Sequence, residues 1–174
     1  LRINLDKEVQ ITNPESDPRY EKYWKLYHSL MNRKGITIDA AKTAIRTNTT
    51  AIAALMLKRG EADSMICGTY GHYNKHLNTV LNIVGKASGV RDVSALSIVI
   101  MSKGTFFLID THVTPDPSTD ELVEMISLAT NMMRKFGEIP KVALLSHSNF
   151  GSMPTPTSYK MSEAVHILKT NFPE

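Results

Sequence analysis

The 174-residue chain has one cysteine, Cys67, and few aromatic residues, 7% in all. A single thiol excludes an internal disulfide and a cysteine-cluster metal site, and it suits a reducing compartment. Long hydrophobic runs are missing too: stretches such as Ala51 to Leu57 fall far short of the roughly 18 apolar residues that a membrane span needs. No signal-like segment opens the chain, so a cytoplasmic protein with no membrane partner is expected. Neither G-x-G-x-x-G nor the Walker A pattern occurs. Without G-x-S-x-G, and with Ser146 and His147 merely adjacent, no Ser/His/Asp triad can be assigned.

What is present fits a globular protein: 42% of residues are hydrophobic and 21% charged, enough to bury a core. The net charge of +3 is unevenly spread. Residues 1–87 hold 13 Lys/Arg against 8 Asp/Glu, and residues 88–174 hold 7 against 9. The basic residues are scattered and carry little aromatic interleaving, which argues against a nucleic-acid surface. A small anionic ligand fits that pattern better.

Val9 to Thr12 reads as a short β run ended by Asn13-Pro14. Ser16-Asp17-Pro18 predicts a helix start, with a capping carboxylate ahead of a proline whose missing N–H costs nothing at the first helical position. Tyr20, Tyr23, Trp24, Tyr27, Leu30 and Met31 follow at helical spacing along one packed face, and Arg33-Lys34-Gly35 is a stop signal. Thr37 is expected to cap a second helix and Asn48 or Thr49 a third, with Ile52, Leu55 and Met56 inward before Lys58-Arg59-Gly60 repeats the stop.

Ser64 to Cys67 reads as a buried strand, and residues after Gly71 open a helix through about Val84. Ser94 to Met101 and Thr105 to Asp110 suggest a hairpin around Ser102-Lys103-Gly104. Ser118 and Glu121 form an S-x-x-E capping box ahead of the stripe Leu122, Met125, Ile126, Ala129, Met132, Met133 and Phe136. The methionines are read as core. Lys141 to Leu145 is expected to be another buried strand, and a final helix begins near Thr157 with Met161, Ala164, Val165 and Leu168 inward. Strands alternating with helices argue for an α/β sheet covered on both faces, where ligands collect at the carboxyl ends of strands.

Two glycine-bearing loops leave such strand ends. Ser146 to Ser152 holds three serines, an asparagine and a glycine, a set of donors suited to an anion or polar cofactor. The alternative is an ordinary strand-to-helix turn. Gly68 to Asn74 has the same position and contains His72, with His76 at i+4, a spacing that can bind zinc. No H-E-x-x-H pattern or cysteine cluster accompanies the pair, so hydrogen-bonded or exposed histidines are favoured and no metal is expected. Asp110, beside Thr111-His112, can act as a general base or metal ligand, or hold local backbone N–H groups, which is the commoner role at a strand end.

Taken in order, Gly60-Glu61-Ala62-Asp63, Met65 to Gly68, Asp110 with Val113 and Pro117, Lys141 to Ser146 and Gly151-Ser152 resemble the phosphate acetyl/butyryltransferase family. Ser16 to Trp24 together with Ser146 to Ser152 is similar to one branch in particular, the phosphotransacetylase-like domain at the carboxyl end of bacterial NADP-dependent malic enzymes. The resemblance covers essentially the whole chain. It implies a three-layer α/β/α, isocitrate/isopropylmalate dehydrogenase-like fold, of which this chain is the central portion. An internal division is expected near 90–94, separating residues 1–90 from residues 91–174.

The resemblance also implies acetyl-CoA or CoA as ligand, in a cleft between those two stretches. The implied binding residues are Gly68, Thr69, Tyr70, Gly71, His72, Asp110, Ser146, Ser148, Asn149, Phe150, Gly151 and Ser152. NADP and a divalent metal would belong to the other, N-terminal malic enzyme domain of the parent chain, and self-association is expected. The catalytic Ser-Arg and nearby Asp of active members fall in a carboxyl-terminal segment that the resemblance does not find here. Active members also carry an arginine where Asn78 aligns and another where Met31 aligns. A phosphate or developing oxyanion needs fixed positive charge, so the resemblance implies regulation rather than catalysis. An active transferase, with charge supplied by Lys75, Lys86 or Arg91, and a purely structural oligomerisation module are the alternatives.

Overall fold

The structure is a computed structural model that describes residues 9–172. The chain divides into two compact units, Leu1–Lys86 and Ala87–Glu174.

The first unit is helical. Helix α1 spans Tyr20–Met31 and runs into a 3-10 turn, Asn32–Lys34. The regular helix begins two residues after Pro18, but Asp17 still caps the chain as it enters, since the Tyr20 N–H bonds to its carbonyl at 3.0 Å. The carboxylate accepts from the Arg19 backbone N–H at 2.8 Å and from its guanidinium at 2.7 and 3.0 Å. Gly35 closes the turn at φ 85°, a left-handed conformation that glycine adopts without a Cβ penalty. Helix α2, Ile38–Thr47, is capped by the Thr37 hydroxyl, and α3, Thr49–Lys58, by the Asn48 side chain, which accepts from the Ala51 N–H at 3.1 Å. Helix α4 spans Tyr73–Ile83.

These four helices close on one core of Tyr23, Ile45, Ala51, Ile52, Ala54, Leu55 and Ile83, with Tyr20, Trp24, Tyr27 and Met65 packed around it. The aromatic residues of α1 therefore pack, as their spacing predicts. The Tyr23 hydroxyl donates to Glu61 at 2.6 Å, tying α1 to the turn after α3, and burial together with that bond pushes its pKa up to about 12.

The second unit has a hairpin and two helices. Strands β1, Leu96–Met101, and β2, Gly104–Ile109, pair antiparallel with Met101 opposite Gly104, so Ser102-Lys103 is the turn. Helix α5, Thr119–Lys135, starts with the Ser118–Glu121 capping box, and α6, Pro156–Asn171, is capped by Thr155 with Pro156 in its first turn. α5 packs against α6 and β2. Met125, Ile126 and Ala129 are buried, whereas Met132 and Phe136 are exposed, although the Phe136 ring lies 6.1 Å from that of Phe107 on β2.

Three expected strands are not strands. Val9 to Thr12, Ser64 to Cys67 and Lys141 to Leu145 are irregular, and among the described residues the only sheet is the β1–β2 pair. Among the described residues no strand runs beside any of the three, and a β conformation is held by ladder bonds to a neighbour. Their apolar residues are correspondingly open: Ile66 is 99% exposed and Leu145 79%. The described residues are thus α/β with a small antiparallel sheet, and the parallel sheet that the element order suggests is not among them. No described helix is long and apolar enough to cross a membrane.

Candidate functional site

In the first unit the chain leaves the core at Met65 and crosses an exposed loop, residues 66–72, before entering α4. Gly68, Thr69, Tyr70, Gly71 and His72 all lie on it. Gly68 and Gly71 sit at φ 104° and 103°, where side chains are rarely tolerated. His72 is the N-cap of α4 and supplies no side-chain cap.

The loop is tied down by His76, one turn into α4. Its Nε2 is 2.7 Å from the Tyr70 carbonyl oxygen and its Nδ1 is 2.8 Å from the Thr50 hydroxyl on α3. Both ring nitrogens are committed, which removes His76 as the i+4 partner of His72 in a metal site. No cluster of three or more His, Cys, Asp or Glu suited to a metal occurs among the described residues. The sequence pattern offers His76 only as a ligand or a generic hydrogen-bonding histidine. The one clue to its actual role is a hydroxyl, Thr50, in the first turn of an apolar helix whose other small residues face the core.

In the second unit, Asp110 follows β2. Its Oδ1 accepts from the N–H groups of Ala95 at 2.9 Å, His112 at 3.2 Å and Val113 at 3.2 Å, and its Oδ2 from Thr114 at 2.7 Å. Burial alone would raise its pKa. The four backbone donors outweigh that and hold the carboxyl below the usual range. Asp110 is thus the clamp that turns the chain out of the hairpin.

The loop 146–152 organises itself. Ser146 Oγ accepts from the Ser148 N–H at 3.1 Å and donates to the Ser148 carbonyl at 3.2 Å, Ser148 Oγ accepts from the Met153 N–H at 2.9 Å, and the Ser152 N–H donates to the Asn149 carbonyl at 3.0 Å. Two of the three serines therefore shape the turn. Phe150 is the single non-glycine residue with positive φ, 50°, among those described, and Gly151 follows at 80°. The Phe150 ring is fully exposed. A strained aromatic held open in this way is a common mark of a contact residue.

Three basic residues bear on the chemistry available. Lys75 is exposed in the first turn of α4. Arg91 is engaged with Glu124 at 3.6 Å and Asp120 at 3.7 Å, and Lys86 also has a partner. Met31 is 7% exposed and packs at the end of α1, and Asn78 is exposed on α4. A separate cavity of about 240 Å³ opens between α5 and α6, lined among others by Thr130, Arg134, Val142, Leu168 and Lys169, and it includes none of the sequence-derived site residues.

Comparison with known proteins gives a consistent match. The sequence profile described as phosphate acetyl/butaryl transferase covers residues 1–174. The chain is 46% identical over 174 residues to an NAD-dependent malic enzyme of Rhizobium meliloti and 42% identical over 174 residues to an NADP-dependent malic enzyme of Escherichia coli. Each match takes in 100% of this chain and 23% of the relative, so the chain spans about a quarter of their length. Among solved structures, the EutD phosphotransacetylase from Staphylococcus aureus superposes with a TM-score of 0.80 at 21% identity, covering 97% of this chain and 50% of that one, which speaks for the fold alone.

Proposed function

Since the chain belongs to the phosphate acetyl/butaryl transferase family, matching its profile from end to end, we propose that it is an acetyl-CoA- or CoA-binding domain of a larger, cytoplasmic malic enzyme and that it regulates rather than catalyses. In this reading the whole domain has the three-layer α/β/α architecture. The parent chain decarboxylates malate with a nicotinamide cofactor, NADP, and a divalent metal, both held by a separate malic enzyme domain. The two relatives, named as NAD- and NADP-dependent malic enzymes, support a malic enzyme parent with a nicotinamide cofactor, and the second of them supports NADP.

Ligand contacts are assigned to Gly68, Thr69, Tyr70, Gly71 and His72 in the first unit. In the second they fall to the loop Ser146, Ser148, Asn149, Phe150, Gly151 and Ser152, with Asp110 positioned beside its own strand end. The exposed Phe150 ring suits the flat face of an adenine. The observation that carries the regulatory reading is Met31, packed into the protein where an active transferase aligns an arginine. Neither loop supplies a lysine or arginine in its place. Without fixed positive charge, a phosphate nucleophile and a tetrahedral oxyanion lose much of their stabilisation. By linkage, acetyl-CoA inhibits malate turnover only if it binds the less active arrangement more tightly. Self-association belongs to the same proposal, and the exposed Met132 and Phe136 of α5 support it.

The test is an assay of the intact natural protein with acetyl-CoA and phosphate. No acetyl phosphate should form, while acetyl-CoA should slow malate oxidation. Turnover to acetyl phosphate that is abolished by changes in the loop 146–152 would establish the active transferase instead.

A further inference from the structure

We propose that His76 is a positioning residue: it fixes loop 68–72 in the shape that receives the ligand, by holding the Tyr70 carbonyl through Nε2. The inference rests on the reading that this loop contacts acetyl-CoA or CoA. The Tyr70 side chain is exposed and anchors nothing in the core. The loop is held instead by its backbone, at 2.7 Å from His76 Nε2.

A carbonyl oxygen only accepts, so Nε2 carries the proton. In the neutral ring Nδ1 is then the acceptor, and the Thr50 hydroxyl donates to it at 2.8 Å. Thr50 is 4% exposed, next to Ala51 in the core, so the relay runs from the packed interior of α3 through the imidazole to the loop.

Gly71 belongs to the same device. A Cβ there would lie 3.3 Å from His76 Nε2, and its φ of 103° disfavours any side chain. The peptide between Tyr70 and Gly71 is planar and trans, so its N–H points opposite to its C=O. Holding the carbonyl on His76 turns the Gly71 N–H to the side away from the ring, as a fixed donor for a ligand oxygen.

Two conservative replacements separate the two ends of the relay. His76→Gln places an amide N–H near the position of Nε2 and keeps the Tyr70 bond while giving up Thr50. His76→Asn reaches only the position of Nδ1 and keeps Thr50 while giving up Tyr70. In the intact protein, titration calorimetry with acetyl-CoA should show His76→Asn binding at least about five-fold more weakly and His76→Gln within about two-fold of the parent. Amide hydrogen exchange without ligand should speed up over 68–72 in His76→Asn and not in His76→Gln, while the thermal midpoint falls more in His76→Gln, which lost the buried contact.

A purely structural histidine predicts the reverse order, affinity following the midpoint, and that result overturns the inference. So does a parent-like affinity in His76→Asn. If the parent protein itself fails to bind acetyl-CoA, the functional reading is lost, and the exchange rates alone then decide whether His76 sets the loop: equal rates in the two variants would end that claim as well.

Discussion

The first compact unit covers Tyr23, Ile45, Leu55 and Ile83 to 1% exposure or less, whereas the large side chains best covered in the second, Met125 and Ile126, remain 5% and 8% exposed. The helices of the first unit bury one another. Each of α1, α2 and α3 meets a partner that lies next to it or nearly so in sequence, and the backbone groups inside each helix bond within it, with Thr37 and Asn48 capping the starts of α2 and α3. The second unit relies on two helices and a two-stranded hairpin, in which Ile98 and Ile100 on one face and Phe106 and Leu108 on the other stay exposed. A hairpin alone contributes little stability in water, because its edges and much of its faces remain solvated. The contrast locates the stability of these 174 residues in the first unit and the more adaptable surface in the second.

The most severe way to probe that contrast is a pair of leucine truncations. Leu55→Ala opens a cavity in the closed core and should cost about 2–5 kcal/mol, whereas Leu145→Ala, at an exposed position, should stay within about 0.5 kcal/mol. Trp24 is the one tryptophan of these 174 residues and lies in the first unit, so its fluorescence during denaturant unfolding of these residues reads Leu55→Ala, while hydrogen exchange in α5 and α6 reads Leu145→Ala. A large loss from Leu145→Ala would mean that the open segment is covered in the intact protein.

Asp110→Asn comes next. It keeps the size of the clamp but weakens four charge-assisted bonds, a loss of about 2 kcal/mol confined to the second unit. Hydrogen exchange should quicken at residues 112–114 and leave α1 to α4 unchanged. Removing the Asn48 cap by Asn48→Ala should cost about 1 kcal/mol in the first unit, seen as a lower denaturant midpoint with the same slope.

The smallest effect distinguishes the units by acid. Asp110 is held below its ordinary pKa: burial opposes ionisation, and the backbone donors overcome it. Glu61 is held below its own by the Tyr23 hydroxyl first and by Arg59 next. A carboxyl whose folded pKa is depressed contributes stability above its unfolded value and loses it as the pH falls through the folded one. Both units should therefore weaken below the ordinary carboxylate range. Tyr23→Phe should reduce the acid dependence seen by Trp24 fluorescence, and Asp110→Asn should reduce it only in exchange at the hairpin.

The same contrast explains what is legible in the sequence. Thr37, Asn48, Ser118, Gly35 and Gly104 act within a few residues of themselves, through a cap, a left-handed turn or a tight hairpin, and each does what its local pattern predicts. Ser64 to Cys67 and Lys141 to Leu145 have the apolar composition of buried strands, but a strand depends on neighbours that a local window cannot reveal, and none of the described residues supplies them. Among the residues proposed for the site, the two loops are chosen from glycine and polar spacing. The His76 relay is not, since it joins Thr50 to Tyr70 across two helices. The backbone clamp at Asp110 can be read in advance because that role is local.

The central claim is that these residues bind an acyl-CoA without turning it over. Its most direct test is equilibrium titration of acetyl-CoA into the intact protein in the presence of phosphate, with the nucleotide recovered and analysed afterwards. Binding should saturate, weaken in Gly71→Ala, and return acetyl-CoA unchanged. No binding, or recovery of free CoA with acetyl phosphate, would contradict the claim.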